Sequence, residues 1–141
     1  MYTRLLVVVA FALSLGSCKT HLRVPAADPA LPFSNAVQVG DTLWIAGHLG
    51  LDPATRQAPP DPAVEARLLL DAVGSTLAAA GRDMDDLVMV EVHCTDLALY
   101  ELFNTAYRER FHGAFPARAF LGAATLLRGC RFEMLGVAVR R

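Results

Sequence analysis

"RFEMLGVAVRR", residues 131–141, closes the chain with a strand-like run that is apolar on both faces. Between Phe132 and Val139 the one ionisable side chain is Glu133. A strand with one wet face alternates apolar and polar residues, whereas a strand buried on both sides reads as a continuous apolar run. This segment therefore demands cover on both faces of whatever sheet contains it. The upstream elements decide how much of that cover the chain itself supplies.

"NAVQVGDTLWIAG" (35–47) reads as two strands joined at Gly40-Asp41, a turn that suits a hairpin. "LDPATRQAPP" (51–60) is a turn-rich loop. A helix starts at Asp61-Pro62, with Asp as N-cap and Pro at the first helical position. Ala66, Leu69, Leu70, Val73, Leu77 and Ala80 form its apolar stripe, and Gly81 ends it. Gly74 inside this helix costs about 1 kcal/mol against Ala, and a close packing contact would explain it. "DLVMVEVHCTDL" (86–97) is a strand, with Val88, Val90, Val92 and Cys94 facing one way and Met89, Glu91, His93 and Thr95 the other. A second helix covers about Leu99–His112, with Leu99, Phe103, Tyr107 and Phe111 on one stripe. "PARAFLGAA" (116–124) and "CRFEMLGVAVR" (130–140) are the last two strands. The order β-β-α-β-α-β-β is an α+β arrangement in which two helices cover one sheet face. The simplest cover for the other face is a second subunit.

The 141 residues are room for one domain. A formal net charge of −1 argues against broad electrostatic attraction to nucleic acid, which needs a basic patch or stripe. The start is set apart from this domain. "MYTRLLVVVAFALSLGSC" (1–18) has one early charge, Arg4, then an apolar run too short to span a bilayer. Its end, Leu15-Gly16-Ser17-Cys18, resembles the lipobox of bacterial lipoprotein signals, in which the cysteine, here Cys18, carries the lipid. A plain cleavable signal or an uncleaved anchor is the alternative. Either signal predicts export, and the lipobox predicts anchoring in the bacterial envelope, with membrane contact only through the lipid. "KTHLRVPAADPALP" (19–32) lacks a hydrophobic period and reads as a tether, so the domain runs over 33–141. Cys94 and Cys130 lie in or beside apolar runs and read as buried free thiols. Neither has the His/Cys spacing of a zinc site, so no metal is expected.

Two charged residues interrupt apolar strands: Arg118, within "FPARAF" (115–120), and Glu133. A guanidinium fork matches a carboxylate in bidentate fashion. A carboxylate in an apolar setting can hold a water or exchange a proton. Together they suit a small carboxylate substrate attacked by water. The competing reading is that Arg118 and Glu133 pair with each other as a structural salt bridge. Among the histidines, His48 follows Gly47 at a strand end, where side chains often reach a cleft. No G-x-S-x-G and no Gly-rich phosphate loop is present.

These pieces occur in an order that resembles the Rid family (reactive intermediate deaminase, YjgF type). The matching segments are "LPFSNAVQVGDTLWIAGHLGLDPAT", "EARLLLDAVGSTLAAAG", "VMVEVHCTDLALYELFNTAYRERF", "FPARAF" and "RFEMLGVAVRR", which span about residues 31–141. The most specific run is Asn104, Tyr107, Phe111, Pro116, Ala117 and Arg118, followed by Glu133.

The resemblance implies a chorismate-mutase-like mixed β-sheet with two helices on one face, assembled as a barrel-like homotrimer with sites between subunits. It implies hydrolysis of 2-enamine and 2-imino acids, such as 2-aminoacrylate and 2-iminopropanoate, to 2-oxo acids and ammonia without metal or organic cofactor. By that resemblance Arg118 binds the substrate carboxylate and Glu133 positions the attacking water. Phe33, Gly47, His48 and Phe120 line the substrate pocket. Phe33 stands where many relatives carry Tyr, Ala46-Gly47-His48 where S-G-Q is common, and Ala119 where Ser or Thr follows the arginine. These changes make the pocket less polar. The alternative function is an envelope-attached module that binds small carboxylates without turnover.

Overall fold

The Asp61 side chain accepts from the Ala63 N–H at 2.8 Å, and Pro62 occupies the first helical position as the sequence predicts. The helix closes on Gly81 at φ +67°, a conformation that glycine adopts without a Cβ penalty. This helix is α1 (Pro62–Ala79) in a computed structural model that describes residues 30–141 and the backbone of 19–22. Cys18, the signal-like segment and residues 23–29 of the tether lie outside the described residues.

The other elements are β1 (Lys19–Leu22), β2 (Ala36–Val39), β3 (Thr42–Leu49), β4 (Leu87–Cys94), α2 (Tyr100–Arg108), β5 (Ala117–Gly122) and β6 (Phe132–Val139). The strands form one sheet in the order β1-β2-β3-β6-β4-β5. All neighbours are antiparallel except β4 and β5, which are parallel and joined through α2. Both helices lie on one face, where Leu69, Leu70, Val73, Phe103, Phe132 and Met134 are fully buried. Phe103 of α2 meets Phe132 of β6 and Phe120 of β5, with centroids 5.1 and 5.6 Å apart. The α+β fold read from the sequence is the fold observed.

Four local readings change. Lys19–Leu22, read as the start of the tether, pairs with β2 as an edge strand. An open edge presents unpaired N–H and C=O groups that an extended segment can satisfy. Val88 is 47% exposed, because β4 takes an extra residue between Leu87 and Met89, and Leu87 takes the core position instead. The second helix ends at Arg108, short of His112. The Asp85 carboxylate captures the N–H groups of His112 and Gly113, at 3.0 and 3.3 Å, so they are not free to extend the helical ladder. Gly74 shows no close contact, since a Cβ there would meet nothing within 4 Å.

The sheet face away from the helices is open, apolar around Trp44, Leu135 and Val137 and charged at Glu91, His93 and Glu133. Trp44 is 57% exposed and Leu121 43%, beside half-buried Leu135 and Val137. The two-sided apolar character of β6 is thus met by helices on one side only.

Candidate active site

Parallel pairing with β4 sets Arg118 opposite Val90, on the helix face of the edge strand β5. Two turns of α2 meet it there. Residues 100, 104, 107 and 108 share a face because they are three or four apart along the helix. The Arg118 Nη2 donates to Asn104 Oδ1 at 2.7 Å and to the Tyr100 hydroxyl at 3.3 Å. The guanidinium carbon lies 4.7 Å from the Tyr107 ring centre, 5.6 Å from Tyr100 and 5.8 Å from Phe120, within cation–π range.

Nε and Nη1 of Arg118 have no hydrogen-bond partner among the described residues, and no carboxylate lies within ion-pair distance. One edge of the fork is anchored and the rest is unfilled. Arg118 borders a cavity of about 390 Å³ with Tyr100, Asn104, Tyr107, Phe115 and Pro116. An unpaired, half-buried guanidinium held by neutral partners suits an incoming anion. Arg108 stands at the rim, 3.7 Å from Glu101. Burial pushes the Tyr107 hydroxyl up to about 12, against the opposing pull of Arg118, so it is a neutral phenol at working pH.

Glu133 lies elsewhere. Its neighbours Phe132 and Met134 point into the core, so Glu133 faces the open side, opposite Leu49 on β3 and His93 on β4. Its carboxylate leans over Gly47: a Cβ on Gly47 would lie 2.0 Å from Glu133 Oε1. Only a residue without a side chain leaves room for the carboxylate there. Arg118 and Glu133 therefore occupy opposite faces of the sheet, and the salt bridge between them within one chain does not form.

The remaining predicted residues divide. Gly47 adjoins Glu133, and Phe120 stacks beneath Arg118. Phe33 is 52% exposed and is not part of the Arg118 cavity wall. His48 is not in the cleft. Strict alternation from Leu43 and Ile45 would place it on the open face, but β3 bulges between Ile45 and His48 and turns it inward. There His48 Nδ1 bonds the Ala46 carbonyl and Nε2 bonds Thr76 Oγ1, both at 2.7 Å. The carbonyl can only accept, so Nδ1 carries the proton in the neutral ring and Nε2 accepts from the threonine. Burial pulls the imidazole below its ordinary range, partly offset by the Ala46 bond. Both ring nitrogens are spent inside the fold, which leaves none for a substrate.

Among the described residues no three His, Cys, Asp or Glu side chains are grouped to hold a metal ion. Cys94 and Cys130 are buried free thiols, and burial, with the nearby Glu65 and Glu133, pushes Cys130 up to about 11. Sequence reasoning gave no role to Tyr100, Phe115 or Arg108. The signal for Tyr100 was its spacing of four from Asn104 and seven from Tyr107.

The profile of the family described as Endoribonuclease L-PSP matches residues 24–140. A 2-iminobutanoate/2-iminopropanoate deaminase of Mus musculus is 40% identical over 110 residues, covering 77% of this chain and 82% of the relative. The crystal structure of the E. coli YjgF gene product superposes with TM-score 0.75 at 32% identity, over 84% of this chain and 94% of that one. E. coli TdcF, solved with bound serine, superposes with TM-score 0.76 at 29% identity, over the same shares of the two chains.

Proposed function

The chain belongs to the endoribonuclease L-PSP family, and from that premise we propose that it hydrolyses small 2-imino acids and their enamine tautomers to 2-oxo acids and ammonia. The observation that carries this is Arg118: a guanidinium without a counter-ion among the described residues, fixed by Asn104 and Tyr100 and open toward a cavity. The curated relative at 40% identity is named for that reaction, and TdcF holds a small amino acid, which also presents a carboxylate. The family description names a ribonuclease. An anion seat walled by Tyr100, Tyr107 and Phe115 instead fits a compact carboxylate with an apolar arm.

The chemistry needs few groups. The carboxylate of the substrate docks on the free edge of Arg118, which fixes the iminium carbon in place. A water held by Glu133 attacks that carbon. A C–O bond forms as the C=N π pair moves to nitrogen, and Glu133 takes one water proton and passes it to that nitrogen. The C–N bond then breaks as the carbinol hydroxyl gives its proton to Glu133 and the C=O forms, and this second proton goes to the released ammonia. An iminium carboxylate plus water thus yields a 2-oxo acid and ammonium, balanced in atoms and charge.

Arg118 and Glu133 lie on opposite sheet faces, so a site that uses both draws them from two subunits. The open apolar face with Trp44 and Leu121 supports a homotrimer in which the partner covers it. Export and lipid attachment at Cys18 rest on the sequence "LGSC" (15–18) and complete the reading: an envelope-held deaminase.

The test is ammonia release from freshly generated 2-iminopropanoate, wild type against Arg118→Ala. Release above buffer that disappears in Arg118→Ala supports the reading. Equal rates for wild type, variant and buffer overturn it. If 2-oxo acids then bind saturably, and only with Arg118 present, the function is carboxylate binding without turnover. A monomer by sizing would refute the two-subunit site.

A further inference from the structure

Among the described residues, the carboxylate that is fully buried is neither Glu133 nor any group of the Arg118 cavity. It is Glu65, in the first turn of α1, with no exposed surface. Its Oε1 accepts from two consecutive backbone N–H groups, Arg131 at 2.5 Å and Phe132 at 2.9 Å. Its Oε2 accepts from Arg131 Nη1 at 2.7 Å. The same guanidinium donates to the carbonyls of Pro59 and Pro60, each at 3.0 Å. A buried carboxylate is tolerated when a charge partner and hydrogen bonds satisfy it, and Glu65 has both.

The location of this clamp gives it a consequence. Along an extended strand successive N–H groups point to opposite sides, so two consecutive ones cannot converge on one oxygen within the pleat. The Glu65 contact therefore marks the point where β6 starts and fixes its phase. Phe132 faces the core and Glu133, next in line, faces the open side. A slip of one residue would exchange the two. The body of β6 is apolar on both faces, so its hydrophobic pattern discriminates weakly between registers, and the clamp fixes the phase together with Gly136, where a Cβ would lie 2.8 Å from the Met89 carbonyl oxygen. Glu65 also sits against the end of β3: a Cβ on Gly50 would lie 2.1 Å from the Glu65 carbonyl oxygen. β3 in turn supplies Gly47, over which the Glu133 carboxylate rests.

We infer that Glu65 is a positioning residue for Glu133: by holding the Arg131 and Phe132 N–H groups it sets the phase of β6 and aims the Glu133 carboxylate over Gly47. This rests on the deaminase reading, in which Glu133 places the attacking water. Arg118 sits on another strand and does not depend on the clamp. Loss of Glu65 should thus lower kcat and leave KM for the imino acid unchanged.

The test is a double-mutant cycle with Glu65→Gln and Glu133→Gln, read by ammonia release from 2-iminopropanoate. Glu65→Gln keeps the size and one acceptor and removes the charge that pairs with Arg131. The expected result is about a tenfold fall in kcat at unchanged KM, and no further fall when Glu65→Gln is added to Glu133→Gln. Equal losses in both backgrounds, or a loss in KM alone, would show a general structural role and overturn the inference. If Glu65→Gln is insoluble, Arg131→Met enters the same cycle, with the same coupling expected and the same result decisive against it. Should Glu133→Gln match wild type, the role of Glu133 itself fails, an outcome distinct from lost coupling.

Discussion

Gly47→Ala separates the position of Glu133 from the integrity of the fold. The new Cβ would lie 2.0 Å from Glu133 Oε1, 3.0 Å from Cδ and 3.3 Å from Cγ. Ordinary contact begins near 3.4 Å, so the oxygen must retreat by about 1.4 Å (3.4 minus 2.0). What must move is the far end of a flexible side chain on the open face, since the three heavy atoms nearest to the methyl, out to 3.3 Å, all belong to the Glu133 side chain. A carboxylate forced off its preferred rotamer costs on the order of 1 kcal/mol, so the protein folds and its urea midpoint falls only slightly. A displacement of about 1 Å in a group that places the reacting water costs roughly a hundredfold in rate. The assay is steady-state ammonia release from 2-iminopropanoate beside urea unfolding. A large fall in kcat with KM held, in a protein less stable by only about 1 kcal/mol, is the expected pair of results. Gly50→Ala is the contrast, because its Cβ would meet the Glu65 carbonyl oxygen at 2.1 Å and the attached carbon at 2.9 Å, both backbone atoms. That variant should lose about 3 kcal/mol or more of stability. Wild-type kcat in Gly47→Ala, or equal destabilisation of the two variants, would refute the reasoning.

Gly74→Ala should raise stability by about 1 kcal/mol, since α1 gains helix propensity and the methyl meets nothing within 4 Å; a lower urea midpoint would contradict this. His48 makes stability depend on pH. Its folded pKa lies below the unfolded value near 6.5, so between the two the unfolded chain binds more protons and stability falls as pH drops below about 6.5. The loss in urea midpoint between about pH 7.5 and about pH 5.5 should shrink in His48→Gln, and an unchanged loss would rule out His48 as its source.

Some of these positions could be read from the sequence and others could not, for identifiable reasons. The cap at Asp61-Pro62, the stop at Gly81 and the stripe through Leu69, Leu70, Val73 and Leu77 are local signals, and the structure keeps them. Val88 and His48 departed from their readings because an extra residue in a strand reverses the facing across the bulge, and the extra residue leaves no periodic trace. At β3 the small pair Ala46-Gly47 was the available hint. Asp85 shortens the second helix through a contact 27 residues distant, invisible to any local window. Glu65 was half legible. It lies four residues before Leu69, on the apolar stripe, yet a first-turn glutamate normally reads as an exposed favourable charge at a helix N-terminus. Its partner N–H groups come from residues 131 and 132, and only the folded chain brings them together.

The three lost polar groups now carry a different meaning. Phe33, Ala46 and Ala119 read, from the sequence, as a pocket made less polar. The polar groups that steady Arg118, however, come from α2, as Asn104 Oδ1 and the Tyr100 hydroxyl. Ala119 pairs with Glu91, next to Arg118 in the strand but on the opposite face, so a hydroxyl there would not touch this guanidinium from within the chain. Ala46 lies in the β3 bulge beside Gly47, near Glu133 and remote from the α2 wall. Ala46 and Ala119 therefore leave the surroundings of Arg118 within the chain unchanged and, in the proposed reaction, bear on the Glu133 side of the sheet. In the proposed reaction, docking of the substrate carboxylate on Arg118 should thus survive these substitutions, and their effect should be read in kcat.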